Sequence, residues 1–93
     1  MILVDPAIWP AHGQRWAHMI SDVSYDELHA FAGRLGLKRA WFQGDHYDVP
    51  VAVRSAAIEA GAVPVESAVL VRRLRAAGLR SGSRIDRLPS KRP

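Results

Sequence analysis

The sequence predicts an α/β domain, a small three- or four-stranded, mainly parallel sheet packed by about three helices in the order β-β-α-β-α-β-α. Three observations point there. Short apolar runs alternate with segments whose apolar residues recur at helical spacing, and a glycine follows each helical segment. The chain has 93 residues, 48% of them hydrophobic, which is enough for one core and no more.

Ile2-Leu3-Val4 reads as a buried strand closed by Asp5-Pro6, because proline has no amide to give a ladder. Residues 6–15, with Pro6, Pro10 and Gly13, read as a loop, and Trp16–Ile20 as a second strand with Trp16, His18 and Ile20 on one face. Ser24 and Glu27 stand at capping-box spacing, and Leu28, Phe31, Ala32 and Leu35 fall at i, i+3, i+4 and i+7. That spacing predicts a helix from Tyr25 to Leu35, with Gly36 as its left-handed cap. Leu37–Gln43, centred on Ala40-Trp41-Phe42, reads as a buried strand ended by Gly44-Asp45. Asp48, as an N-cap, and Pro50 mark another helix start, with Val53, Ala56, Ala57 and Ala60 on one face and Gly61 beyond. Val63-Pro64-Val65 is a short edge strand, and Ser67 caps a last helix through Ala77, with Gly78 as terminator. Strands joined through single helices require parallel pairing and right-handed crossovers, hence the mainly parallel sheet. Residues 1–78 are expected to form the single domain. Residues 79–93, with Leu79, Ile85 and Leu88 as their only apolar anchors, form a basic, flexible tail.

The formal charge of +4 is unevenly spread: residues 1–71 carry five basic and eight acidic side chains, residues 72–93 eight basic and one acidic. An acidic body with a basic end suits contact with a polyanion, although solvated ends of this kind are common. With no cysteine there is no disulfide framework, thiolate metal site or cysteine nucleophile. No apolar run approaches the roughly 20 residues of a membrane span, and the opening Met-Ile-Leu-Val-Asp is too short for a signal peptide. A soluble, cytoplasmic protein with no membrane partner is expected. Neither Gly-x-Gly-x-x-Gly nor Gly-x-x-x-x-Gly-Lys occurs, so no glycine-rich phosphate loop can be assigned.

Asp26-Glu-Leu-His-Ala-Phe-Ala32, Leu35-Gly-Leu-Lys-Arg39, Trp41-Phe-Gln43 and His46-Tyr-Asp48, followed by Gly61-Ala62, resemble the bacterial and phage family called domain of unknown function 4031 (DUF4031). The resemblance covers roughly residues 1–77 and implies a small single-domain protein. It brings no established activity, and no cofactor is assigned. The family often places a hydroxyl residue shortly after His-Tyr-Asp, where this chain has Val49-Pro50, so no role that needs a hydroxyl there is expected.

In a parallel sheet Asp5, His18 and the His46-Tyr47-Asp48 run fall at or beyond strand carboxyl ends, the edge where α/β proteins bind ligands. His18, His46 and Asp48 are the candidate catalytic groups, since imidazole and carboxylate can share acid–base work near neutrality. Asp5, Gln43, Tyr47 and Arg54 are candidate binding residues, Arg54 as an anion partner, and Trp9 is an aromatic platform or a lid over the core. The same histidines and carboxylates could ligate a divalent cation, but no paired-ligand spacing is present and no metal is assigned. Competing structural readings make Asp48 a helix cap, Tyr47 a packed ring and His29 a boundary residue. The sequence thus favours a ligand-binding or catalytic domain acting on a nucleotide-like or other polar metabolite. The alternative is a non-enzymatic accessory module that binds nucleic acid or a protein partner through its basic last helix and tail.

Overall fold

A tight hairpin sets the direction of the sheet. In the computed structural model, which describes residues 1–81, β2 (Trp9–Ala11) and β3 (Gln14–Ser21) are joined by His12-Gly13 alone. Both residues have positive φ, 52° and 74°, the type I′ geometry whose twist matches that of a two-residue hairpin. β1 (Ile2–Val4) pairs antiparallel with the far half of β3, Ile2 opposite Ser21 and Val4 opposite Met19. β2 pairs with the near half, Trp9 opposite Trp16, so β1 and β2 together flank one side of β3, interrupted at residues 5–8. β4 (Tyr47–Pro50) runs antiparallel to β3 along its other side, with His18 opposite Asp48 and Met19 opposite Tyr47. β5 (Val63–Pro64) extends the sheet beyond β1 as a short edge strand, and this is the parallel pairing. The elements follow the order β1-β2-β3-α1-β4-α2-β5-α3, with a 3-10 turn at Arg39–Trp41 before β4.

The domain is therefore α/β with a mixed, five-stranded, mostly antiparallel sheet, and the mainly parallel arrangement is corrected. The parallel expectation took residues 6–15 for a loop, whereas Trp9–Ala11 is a strand that turns back at once. Leu37–Gln43 is not a strand either. It forms the 3-10 turn, and Trp41 stays 48% exposed. Gly44, at φ 89°, and Asp45 reverse the chain, the Gln43 amide donates to the His46 carbonyl, and the strand begins only at Tyr47. Its alternation, Tyr47 and Val49 buried and Asp48 exposed, has the period of a strand although Asp48 and Pro50 resemble a helix start.

α1 (Tyr25–Arg34) is capped as expected, the Ser24 hydroxyl accepting from the Glu27 amide at 3.0 Å. The reciprocal half of the capping box is absent: Glu27 accepts from the Ser21 hydroxyl, which itself accepts from the Ser24 amide at 3.1 Å. α2 (Val51–Glu59) starts directly after Pro50 without a side-chain cap, so Asp48 is not its N-cap. α3 (Ser67–Ala76) has Glu66 at the cap position, and Ser67 is used elsewhere.

The sheet separates two apolar clusters. Ile2, Val4, Ala17, Met19, Tyr47 and Val49 meet Leu28, Phe31 and Ala32 of α1 and Ala57 of α2 on one face. Leu3 and Ile20 meet Leu70 and Leu74 of α3 on the other, with Leu79 packed against them. The Tyr25 hydroxyl donates to the Leu79 carbonyl, so Leu79 to Ser81, expected to open the tail, lie against the domain. The rest of the expected tail, residues 82–93, falls outside the described residues.

Truncating Phe31, which is 5% exposed, to alanine should cost about 3–5 kcal/mol, read from denaturant midpoints. Deleting residues 79–93 should lower the melting temperature more than deleting 82–93, because only the longer deletion removes Leu79 from its cluster. Equal melting temperatures would show that the Leu79 contacts contribute nothing to stability.

Candidate functional site

Pro6 starts the construction of the site. An antiparallel ladder would continue from Val4–Met19 to a pair between residue 5 and His18, and half of it forms, the Asp5 amide donating to the His18 carbonyl at 3.1 Å. The chain then leaves the ladder at Pro6, and the return bond is made by the Asp5 side chain: Oδ1 accepts from the His18 amide at 2.6 Å. The Asp5 carbonyl is turned aside and accepts from Arg54 Nε at 2.7 Å. Asp5 Oδ2 meets His18 Nδ1 at 2.9 Å and accepts from the Ser67 hydroxyl at 2.9 Å. Burial opposes the charge on Asp5, but the bonds from the His18 ring and amide and from Ser67 hold its carboxyl below the usual carboxylate range.

A second carboxylate and imidazole repeat the arrangement beside it. Asp45, in the turn before β4, is buried, and its Oδ1 lies 2.7 Å from His46 Nδ1. Its Oδ2 accepts from the Ser81 amide at 3.0 Å and hydroxyl at 3.1 Å, and Arg80 stands 3.6 Å away. Burial works against the Asp45 charge, yet the bonds from His46 and Ser81 bring its pKa down to about 2. Burial likewise works against a charged His46, but its bonds to Asp45 and Asp48 raise its pKa to about 9.

The two rings meet edge to face, 5.0 Å between centroids, and both Nε2 atoms turn toward Asp48. Asp48 Oδ1 lies 3.1 Å from His46 Nε2 and 4.0 Å from His18 Nε2. One donor atom from each of His18, His46 and Asp48 can be chosen so that all lie within 4.8 Å of one another. The cross-strand register accounts for this: His18 and Asp48 face each other on β3 and β4, and His46 stands just before β4. Trp9 meets the His18 ring in a T-shaped contact, 5.5 Å between centroids.

Of the residues singled out from the sequence, Asp5, His18, His46 and Asp48 come together, by antiparallel register rather than by parallel strand ends. Gln43 lines the adjoining groove. Tyr47 does not reach the cluster: it is buried on the opposite face of β4, its hydroxyl 2.8 Å from His29 Nδ1. Arg54 braces the Asp5 carbonyl from α2. Asp45, Ser67, Arg80 and Ser81 escaped the sequence reading. The adjacency of Asp45 to His46 was the one available signal, whereas Ser67 and Ser81 are distant in sequence and silent.

Fold and cluster together define a small α/β domain that carries a pair of carboxylate-anchored histidines on one face of a mixed sheet. Residues 2–77 match the family described as Protein of unknown function (DUF4031), and the chain belongs to that family. No curated protein matches the sequence, and no solved structure matches it. No helix among the described residues is long and apolar enough to cross a membrane.

The Asp45–His46 pair makes stability depend on pH in both directions. The depressed Asp45 pKa contributes stability that is present above 3.8, its ordinary value, and is lost as pH falls toward about 2. The raised His46 pKa contributes stability that is present below 6.5 and is lost as pH rises through about 9. Thermal unfolding of wild type and Asp45→Asn across pH should therefore show the largest gap between about 4 and 6.5, narrowing on both sides. A gap of constant size from acid to alkaline pH would mean the pair does not titrate as described.

Proposed function

We propose that this chain is a ligand-binding or catalytic domain for a polar metabolite that carries a flat ring, nucleotide-like in character. The reacting or hydrogen-bonding group of the ligand is placed at His18, His46 and Asp48. The observation that carries the reading is a groove of about 690 Å³ beside the cluster, lined by Trp9, Trp16 and Trp41 and sharing His18 and Asp48 with the cluster itself. Trp16 is fixed in place by its indole N–H, which donates to the Ala11 carbonyl at 2.9 Å, while Trp9 and Trp41 are half exposed. Large exposed indoles beside an ordered polar cluster suit a ligand with an aromatic face and a polar end. Asp5 and Asp45 hold the imidazoles in place, and Gln43 at the groove wall is a further binding group. Arg54, held to the Asp5 carbonyl, supports the site from behind rather than meeting the ligand.

The accessory-module reading has less behind it. Two of the cations it would use are engaged, Arg73 with Asp22 at 2.6 Å and Arg80 with Asp45 at 3.6 Å.

Adenosine monophosphate and the other nucleoside monophosphates, titrated against tryptophan fluorescence, test the proposal. Saturable quenching is expected. Trp41→Ala should weaken binding about 5- to 150-fold, the equivalent of roughly 1–3 kcal/mol for a lost base–aromatic stack. Absence of quenching by any nucleotide or nucleoside at millimolar concentration would remove the nucleotide-like ligand.

A further inference from the structure

We propose that His18, His46 and Asp48 bind one divalent transition cation, through Nε2 of each imidazole and one carboxylate oxygen. The inference uses the same cluster as the functional reading and does not depend on the groove.

The orientation of the rings is the first argument. Each Nδ1 lies within hydrogen-bond distance of a carboxylate that is at least 97% buried, Asp5 for His18 and Asp45 for His46. A buried carboxylate accepts, so Nδ1 carries a proton and it is Nε2 that turns outward; a cation there takes the place of the proton held between His46 Nε2 and Asp48. Carboxylate–imidazole pairs of this kind fix the tautomer of metal-ligating histidines and raise their basicity. Here two arise independently, Asp5 at the break after β1 and Asp45 in the turn before β4, and both aim Nε2 at the same carboxylate.

Geometry and charge agree with an ion between them. Ligands at about 2.0–2.2 Å from a cation lie roughly 3.0–3.5 Å from one another. One donor atom of each residue lies within 4.8 Å of the others, and Asp48 Oδ1 is 3.1 Å from His46 Nε2 and 4.0 Å from His18 Nε2. Binding an ion would draw the Asp48 carboxylate, whose side chain is 44% exposed, closer to His18 Nε2. Asp48 supplies a negative ligand, and Asp5 and Asp45 place two more carboxylates directly behind the imidazoles, a field that favours a dication. Two imidazoles and one carboxylate suit zinc or iron(II) better than magnesium or calcium, which take oxygen ligands. Three protein ligands would leave further coordination positions open on the groove side, where His18 and Asp48 form part of the wall, as catalytic sites require.

Untagged full-length protein, stripped with a chelator and dialysed, would be titrated with cobalt(II) and followed by its visible absorption, with zinc(II) as competitor. One ion per chain is expected, displaced by zinc. His18→Ala and His46→Ala should abolish the cobalt band. Asp48→Asn should weaken binding at least tenfold, and Asp45→Asn, which removes a supporting carboxylate without touching a ligand, about 10- to 100-fold. Far-ultraviolet circular dichroism reports folding of each variant, and the half-exposed Asp48 keeps the test decisive if a histidine variant unfolds. Wild type that takes up no cobalt overturns the proposal, as does an Asp48→Asn variant that binds cobalt as wild type does. Nucleotide quenching in the stripped protein is read separately: quenching without cobalt uptake removes the cation and leaves the groove reading standing, while cobalt uptake without quenching does the reverse.

Discussion

One buried carboxylate, that of Asp5, joins β3 to α3, and the carbonyl of the same residue joins them to α2. Taking an ion out of water is costly unless donors replace the water, and Asp5 has three of them, the His18 amide, the His18 ring and the Ser67 hydroxyl. They come from β3 and α3, while the carbonyl of the same residue is held by Arg54 of α2. Asp5 thus ties both faces of the sheet to the point where the pairing between β1 and β3 breaks. The break is required: had the chain stayed in the ladder, the Asp5 carbonyl and not its carboxylate would have met the His18 amide. The side chain would then have had no backbone donor to compensate its burial. Pro6 follows directly, and it is there that the chain leaves the ladder and frees the Asp5 side chain for this exchange.

Asp45 does for the other imidazole what Asp5 does for the first, with one difference in where its remaining donors come from. Ser67 belongs to a packed helix, whereas Ser81 and Arg80 follow the end of α3 and are anchored through Leu79. The position of His46 is therefore coupled to whether the segment after α3 stays docked. Contacts made by a short segment outside regular structure are among the first to open when a protein fluctuates. The two halves of the cluster thus differ in support, His18 resting on the sheet and, through Asp5, on α3, and His46 depending through Asp45 on the residues that follow α3.

The local elements were legible in the sequence where one physical signal dominated. The helix from Tyr25 was marked by Ser24 and a full apolar stripe, and both are present in the structure. Ile2–Val4, the core of β3 and the Val63–Pro64 edge strand lie where their apolar runs placed them. Pairing direction was not legible, because it turned on a His12-Gly13 turn that lacks the usual Asn-Gly or Asp-Gly signature. Around Trp41 the apolar run and the later alternation of Tyr47, Asp48 and Val49 competed for the same strand, and the Gly44-Asp45 reversal decided for the second. Four residues of the cluster, Asp5, His18, His46 and Asp48, were found by residue type and position, although by a parallel-sheet argument that does not hold. Tyr47 was misplaced because alternation along β4 sends it to the opposite face from Asp48. Asp45, Ser67 and Ser81 required the fold, since nothing local connects a serine after α3 to a turn before β4.

The location of the cluster follows from how little of the sheet α3 covers. Sheets with antiparallel pairing can leave part of a face to solvent, whereas a mainly parallel sheet is normally packed on both faces. α1 and α2 fill one face with Met19, Ala17, Tyr47 and Val49, but α3 packs Leu70 and Leu74 only over Leu3 and Ile20. Further along that second face, Trp16 and His18 of β3 and Asp48 and Pro50 of β4 line the groove. Had the sheet been parallel with a helix over every crossover, these positions would have lain beneath a packed layer. The antiparallel topology therefore both brings His18 opposite Asp48 and leaves the surface above them open, so the same register that builds the cluster also keeps it exposed to solvent.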